Sequence, residues 1–163
     1  MKNTLSPRIH IIDKSPAYRK VVEGLVQALG FSHITSTTCC EQLLTVKIKP
    51  DIIIIDHDLG EHNITGLEFL YQYGTTHFPD SRFVFLTSTD DLDIAMSSIR
   101  AGAVDYILKS KSGLDRLVRK LEILVRSYKI RHLQKRNLRI AAILLGFFGF
   151  LLILAVLKYY RFS

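Results

Sequence analysis

Ile52-Ile53-Ile54-Ile55-Asp56 is a run of four β-branched apolar residues that ends in a carboxylate. β-Branched side chains suit extended backbone, and an unbroken apolar run, unlike an alternating one, fits a strand covered on both faces by helices. In parallel sheets of that kind ligands and chemistry collect beyond the carboxyl ends of the strands, so Asp56 is aimed outward at the working edge.

The same pattern extends in both directions. Upstream, Arg8-Ile9-His10-Ile11-Ile12-Asp13 reads as a first strand that also closes on an acid. Ser15-Pro16 then supplies an N-cap and a first-turn proline, and Tyr18, Val21, Val22, Leu25, Val26 and Leu29 recur at helical spacing up to Gly30. A strand over 33–37 and a helix over 38–46, with Leu43 and Leu44 inward, lead through Pro50 to the isoleucine strand. Downstream, a loop over 57–65 precedes a helix that opens near Gly66, carries Leu67, Phe69 and Leu70, and is expected to close at Gly74. Residues 82–87 read as a fourth strand, and Ser88-Thr89-Asp90-Asp91 as an acidic, capped start to a helix that Gly102 ends. Val104 to Leu108 forms the fifth strand, which ends at Lys109, and an amphipathic helix begins near Ser112. Five strands alternating with five helices on short connections predict an α/β fold, a five-stranded doubly wound parallel sheet with right-handed crossovers. Asp13, Asp56, Thr87 and Lys109 would then meet at one sheet edge.

With 163 residues the chain has room for one ordinary domain and a short extension. The stretch from Ile140 to Leu157 holds no charged side chain over 18 residues. As a helix it would reach roughly 27 Å, close to the thickness of a bilayer core, so a transmembrane helix is expected there. The net charge of +7 is unevenly spread: residues 1–112 hold 11 Lys/Arg against 13 Asp/Glu, and residues 113–163 hold 11 against 2. The basic excess thus belongs to the tail and not to a nucleic-acid-binding face. Arg126, Lys129, Arg131, Lys135, Arg136 and Arg139 precede the apolar stretch, and Lys158 and Arg161 follow it. The positive-inside rule then keeps residues 1–139 in the cytoplasm, anchored to the membrane from that side. The expected divisions are a domain over 1–126, a basic linker or helix extension over 127–139, the span over 140–157 and a tail over 158–163. Ala142 and Gly146 form a small-xxx-small pair, which suits a homodimer. The adjacent Cys39 and Cys40 lack metal-site spacing and are expected as reduced thiols.

The ordered set Ile-Ile-Asp13, Ile-Ile-Asp56, Leu-Thr87-Ser88, Ala101-Gly102-Ala103-Val104-Asp105-Tyr106 and Leu108-Lys109 resembles the receiver domain of bacterial two-component response regulators, over about residues 7–126. The resemblance implies a flavodoxin-like fold in which Asp56 accepts a phosphoryl group from a phosphohistidine on a histidine kinase or phosphotransfer partner. Thr87 would bond the phosphoryl oxygens, Lys109 would pair with them, and Tyr106 would turn inward as Thr87 shifts. It also implies a Mg²⁺ held by an acidic pair after the first strand, by Asp56, and by the backbone carbonyl of Asp58.

Three departures stand out. The acidic pair is Asp13-Lys14, so a cation replaces one acid and Mg²⁺ affinity is expected to fall, with Lys14 in the metal's place or Asp58 as a partial substitute ligand. Lys109 is followed by Ser110 where the family has a cis proline, so a trans bond is expected. The loop after Asp56 is about two residues longer than is common; its His57 and His62 are read as solvated rather than as a transition-metal pair. The function read from the sequence is a membrane-anchored, stand-alone receiver in phosphorelay signalling. It would have no output domain and no enzymatic activity beyond its own phosphorylation, and would act on an unidentified downstream protein. The alternative is a pseudo-receiver, a membrane scaffold that works without phosphate. A nucleotide-binding or hydrolytic enzyme would need a Gly-rich phosphate loop, which the sequence lacks.

Overall fold

The isoleucine run forms a strand buried on both sides because its neighbours along the chain point to opposite faces of the sheet. In the computed structural model, which describes residues 6–61 and 63–162, Ile52 and Ile54 pack into one apolar layer and Ile53 and Ile55 into the other. The side chains of residues 135, 152, 155, 156, 158–160 and 162 lie outside the description.

The strands are β1 (Ile9–Ile12), β2 (Ile34–Thr37), β3 (Ile52–Ile55), β4 (Arg82–Thr87) and β5 (Asp105–Leu108). They pair in parallel in the order β2-β1-β3-β4-β5. Register places Ile12 beside Ile55, Ile55 beside Phe85 and Thr87 beside Leu108, so all five strands end at a common edge. The helices are α1 (Pro16–Ala28), α2 (Glu41–Leu44), α3 (Gly66–Phe69), α4 (Thr75–His77), α5 (Leu92–Arg100) and α6 (Lys111–Phe162). Val22 and Val26 of α1 and Leu117, Leu121 and Leu124 of α6 cover one face of the sheet. Leu43, Phe69, Leu70 and Phe78 cover the other.

Two local expectations are corrected. The second helix spans just Glu41–Leu44 instead of 38–46, and its N-cap Cys40 makes no side-chain cap bond. Poor helix formers flank it, Thr37 and Thr38 before and Thr45 and Val46 after. Gly74 does not close its helix: α3 passes through a π-helical turn, Leu70–Gly74, into α4. A Cβ at Gly74 would lie 2.6 Å from Leu70 Cδ1, so this glycine serves close packing within a continuing helix. The helix before Gly102 has the expected capped, acidic start: it begins at Leu92, and the Asp91 side chain accepts from the amides of Asp93 and Ile94.

Residues 126–163 form a separate unit, which carries most of the long α6. Among the described residues no helix is long and apolar enough to cross a membrane. Within the expected span over 140–157 the side chains of Leu152, Ala155 and Val156 lie outside the description.

Candidate functional site

Two glycines let helices close onto the strand ends that carry the site. A Cβ at Gly66 would stand 2.3 Å from the Asp56 carbonyl oxygen, and one at Gly113 would stand 1.9 Å from that of Leu108. The starts of α3 and α6 thus press against the ends of β3 and β5. Thr65 caps α3 through a reciprocal bond with Glu68, which fixes the end of the loop that follows Asp56.

At that edge Asp13 and Asp56 are both buried, and they share one cation. The Lys109 ammonium donates to Asp13 Oδ2 at 2.6 Å and to Asp56 Oδ2 at 2.5 Å. The second oxygen of Asp13 accepts from the Ser15 amide at 2.8 Å, and that of Asp56 from the Asp58 amide at 3.3 Å. Burial works to lower the Lys109 pKa, but its hydrogen bonds to Asp13 and Asp56 and their charges outweigh this and raise it. Lys109 Nζ also lies 4.7 Å from the ring centre of Tyr18 on α1, within range of a cation–π contact. Tyr18 was legible in the sequence as an apolar helix position, with no sign that it would support the lysine. Its hydroxyl is buried without a hydrogen-bond partner, and burial is the first cause raising its pKa.

Lys14 does not stand between the carboxylates; Lys109 does. The Lys14 ammonium reaches outward to Asp58 Oδ2 at 2.5 Å, in a pair about half exposed on each side. Asp58 also accepts from the Gly60 amide at 3.0 Å, and the bond from Lys14 is the first cause holding its carboxyl below the usual range.

Thr87 is fully buried at the end of β4, and its hydroxyl accepts from the Thr89 amide at 3.2 Å. The Tyr106 hydroxyl donates to the Thr89 carbonyl at 2.7 Å, and its ring stacks on Phe85 at 5.8 Å. Both expected switch residues therefore hold the backbone of Thr89. Burial pushes the Tyr106 phenol up to about 12. The Lys109–Ser110 bond is trans, as expected, since no described peptide bond is cis. Asp105, part of the motif that suggested the family, is a buried acid paired with Arg116 at 2.6 Å and Lys120 at 3.0 Å. It anchors α6 to β5, a role its sequence position does not disclose.

The residues present match a magnesium site poorly. Two carboxylates converge where the family pattern has three, one ammonium already bridges both, and the neighbouring Asp58 carboxylate is engaged by Lys14. Among the described residues no group of three or more His, Cys, Asp or Glu side chains could hold a metal ion. The Asp58 side chain, expected as a partial substitute ligand, is paired with Lys14. His62 lies outside the described residues, whereas His57 is half-buried instead of solvated, its Nδ1 without a partner. Cys39 and Cys40 are both free, and burial pushes the Cys40 thiol up.

Known proteins resemble the chain in sequence and in fold. The transcriptional regulatory protein DpiA of Escherichia coli (strain K12) is 25% identical over 99 residues, covering 60% of this chain and 42% of DpiA. The nitrogen assimilation regulatory protein NtrX of Azorhizobium caulinodans is 29% identical over 132 residues, covering 78% of this chain and 29% of NtrX. The chain thus spans less than half the length of these relatives. A response regulator from Thermotoga maritima superposes with a TM-score of 0.64 at 27% identity, over 75% of this chain and 99% of that structure. The family model for the response regulator receiver domain matches residues 9–122, and the chain belongs to that family.

Proposed function

We propose that the chain accepts a phosphoryl group on Asp56 and signals through protein contacts from the cytoplasmic face of a membrane. The observation that carries the first part is the shared cation. Lys109 holds the oxygens of Asp56 and Asp13 at the open edge of the sheet, where a nucleophilic carboxylate and a counter-charge for the incoming group are both in place. A phosphohistidine on a kinase or phosphotransfer protein fits as donor: an Asp56 oxygen attacks phosphorus, the P–N bond breaks, and the histidine leaves. The oxygens that arrive can take bonds from Lys109 and from the Thr87 hydroxyl. A shift of Thr87 would pull on the Thr89 backbone and so on Tyr106. Apart from its own phosphorylation, no catalytic activity is assigned.

Membrane attachment rests on the sequence and on exposure. The apolar residues 140–157 lie between six cations and two, and large side chains such as Ile143, Leu145, Phe148 and Ile153 are all more than half exposed on α6. Such a row on all sides of a helix suits lipid better than water.

Incubation of the full chain in detergent or membranes with acetyl phosphate tests the acceptor role. The expected result is a hydroxylamine-sensitive mass gain of one phosphoryl group, absent from Asp56→Asn. No gain, or an equal gain in the variant, would favour a phosphate-independent scaffold.

A further inference from the structure

We propose that Lys14, positioned by Asp58, is the second cation of the phosphoryl site, so that acceptance at Asp56 proceeds without a divalent metal ion. This rests on the phosphoacceptor reading above and adds to it the source of the positive charge.

Lys109 is already committed to two carboxylates, and an arriving phosphoryl group brings more negative charge than the carboxylate it joins. A metal would ordinarily supply the difference, yet the donor set for one is lacking. Where the acid should stand, the chain places Lys14, next in sequence to Asp13. Its ammonium is held by the side chain of Asp58, the residue whose own amide contacts Asp56 Oδ1. The cation is therefore tethered, through Asp58, to the same backbone segment that touches the acceptor. Exposed ion pairs are weak and lysine side chains are flexible, so Lys14 is free to turn toward phosphoryl oxygens while still facing Asp58. With acetyl phosphate, an Asp56 oxygen bonds to phosphorus, the bond from phosphorus to the acetyl oxygen breaks with its electron pair, and acetate departs. Lys14 and Lys109 stabilise the charge on the phosphoryl oxygens during transfer, and no proton has to move.

The test compares acetyl phosphate labelling of the full chain in EDTA and in Mg²⁺, together with Mn²⁺ binding followed by loss of the free-ion EPR signal. The parent is expected to label in EDTA. Lys14→Met should label about tenfold or more slowly there, and Lys14→Arg should recover most of the rate. Lys14→Asp should acquire saturable Mn²⁺ binding, competed by Mg²⁺, that the parent lacks. Because Lys14 is half exposed, these variants are expected to keep the parent's circular dichroism. Labelling of the parent that requires Mg²⁺, or EDTA labelling indifferent to Lys14→Met, overturns the inference and leaves the acceptor reading intact. Saturable Mn²⁺ binding by the parent also overturns it. Absence of labelling under both conditions overturns the acceptor reading and this inference together.

Discussion

Replacing Lys109 with methionine keeps most of the side-chain volume and removes the ammonium from between Asp13 and Asp56. The Lys109 side chain is 14% exposed, and those of its partners are 5% and 3% exposed. Two buried carboxylates are then left facing each other without a counter-charge. Breaking a buried pair costs about 3–5 kcal/mol; since Lys109 retains some contact with water, the lower end, about 3 kcal/mol, is expected. Urea unfolding of the full chain, followed by circular dichroism, measures the loss. In the Lys109→Met background, Asp56→Asn removes one of the stranded charges and should restore about 1–2 kcal/mol, whereas in the parent the same change destabilises. A loss below about 1 kcal/mol, or strictly additive effects of the two substitutions, would refute the shared-cation arrangement. The pH dependence has a definite sign. The folded-state pKa of Lys109 is raised, so its contribution is complete below the ordinary lysine value of 10.5 and is lost as pH climbs through the higher folded value. The parent should therefore weaken in that alkaline range more than Lys109→Met does.

Other measurements probe different parts of the structure. His10 is buried in β1 between the hydroxyls of Thr35 and Thr37, at 2.7 and 3.0 Å, and burial lowers its pKa from 6.5 to about 4. Unfolding lets it take up a proton, so stability should fall by about 3 kcal/mol as pH drops from 6.5 to 4, and His10→Gln should flatten that slope in urea titrations at several pH values. Gly66→Ala would push a methyl group into the Asp56 carbonyl oxygen and should cost about 3 kcal/mol or more in the same assay; Gly24→Ala, with open space around it, should cost none. Pairing Leu145→Arg with Phe148→Arg places two charges in the apolar stretch, at about 3 kcal/mol each in a bilayer, and should move the chain from the carbonate-resistant membrane fraction to the supernatant.

The sheet was legible because its signals are local. Four isoleucines in a row demand cover on both faces, and the breaks at Pro50, Gly30 and Gly102 bound the elements whatever the tertiary context. The edge that gathers Asp13, Asp56, Thr87 and Lys109 follows from strand direction alone. Partner choice does not. Two lysines, Lys14 and Lys109, were available to neutralise the acids, and which one enters depends on where β5 ends relative to β1 and β3. Periodicity assigned Tyr18 to a helix face but was blind to the ammonium lying over its ring. Gly74 looked like a helix stop because glycine ends helices more often than it relieves crowding, and the contact with Leu70 that decides the matter arises inside a π-helical turn. Asp105 read as part of a motif, whereas its partners Arg116 and Lys120 lie more than ten residues away, on a helix whose rotation the sequence leaves open.

Borohydride trapping decides whether Asp56 is the acceptor. Reduction converts an aspartyl phosphate to homoserine, which peptide mapping then assigns to a position. After incubation with acetyl phosphate the expected product is homoserine at position 56 and at no other carboxylate. Homoserine at another position, or none in a chain that is folded by circular dichroism, would contradict the account.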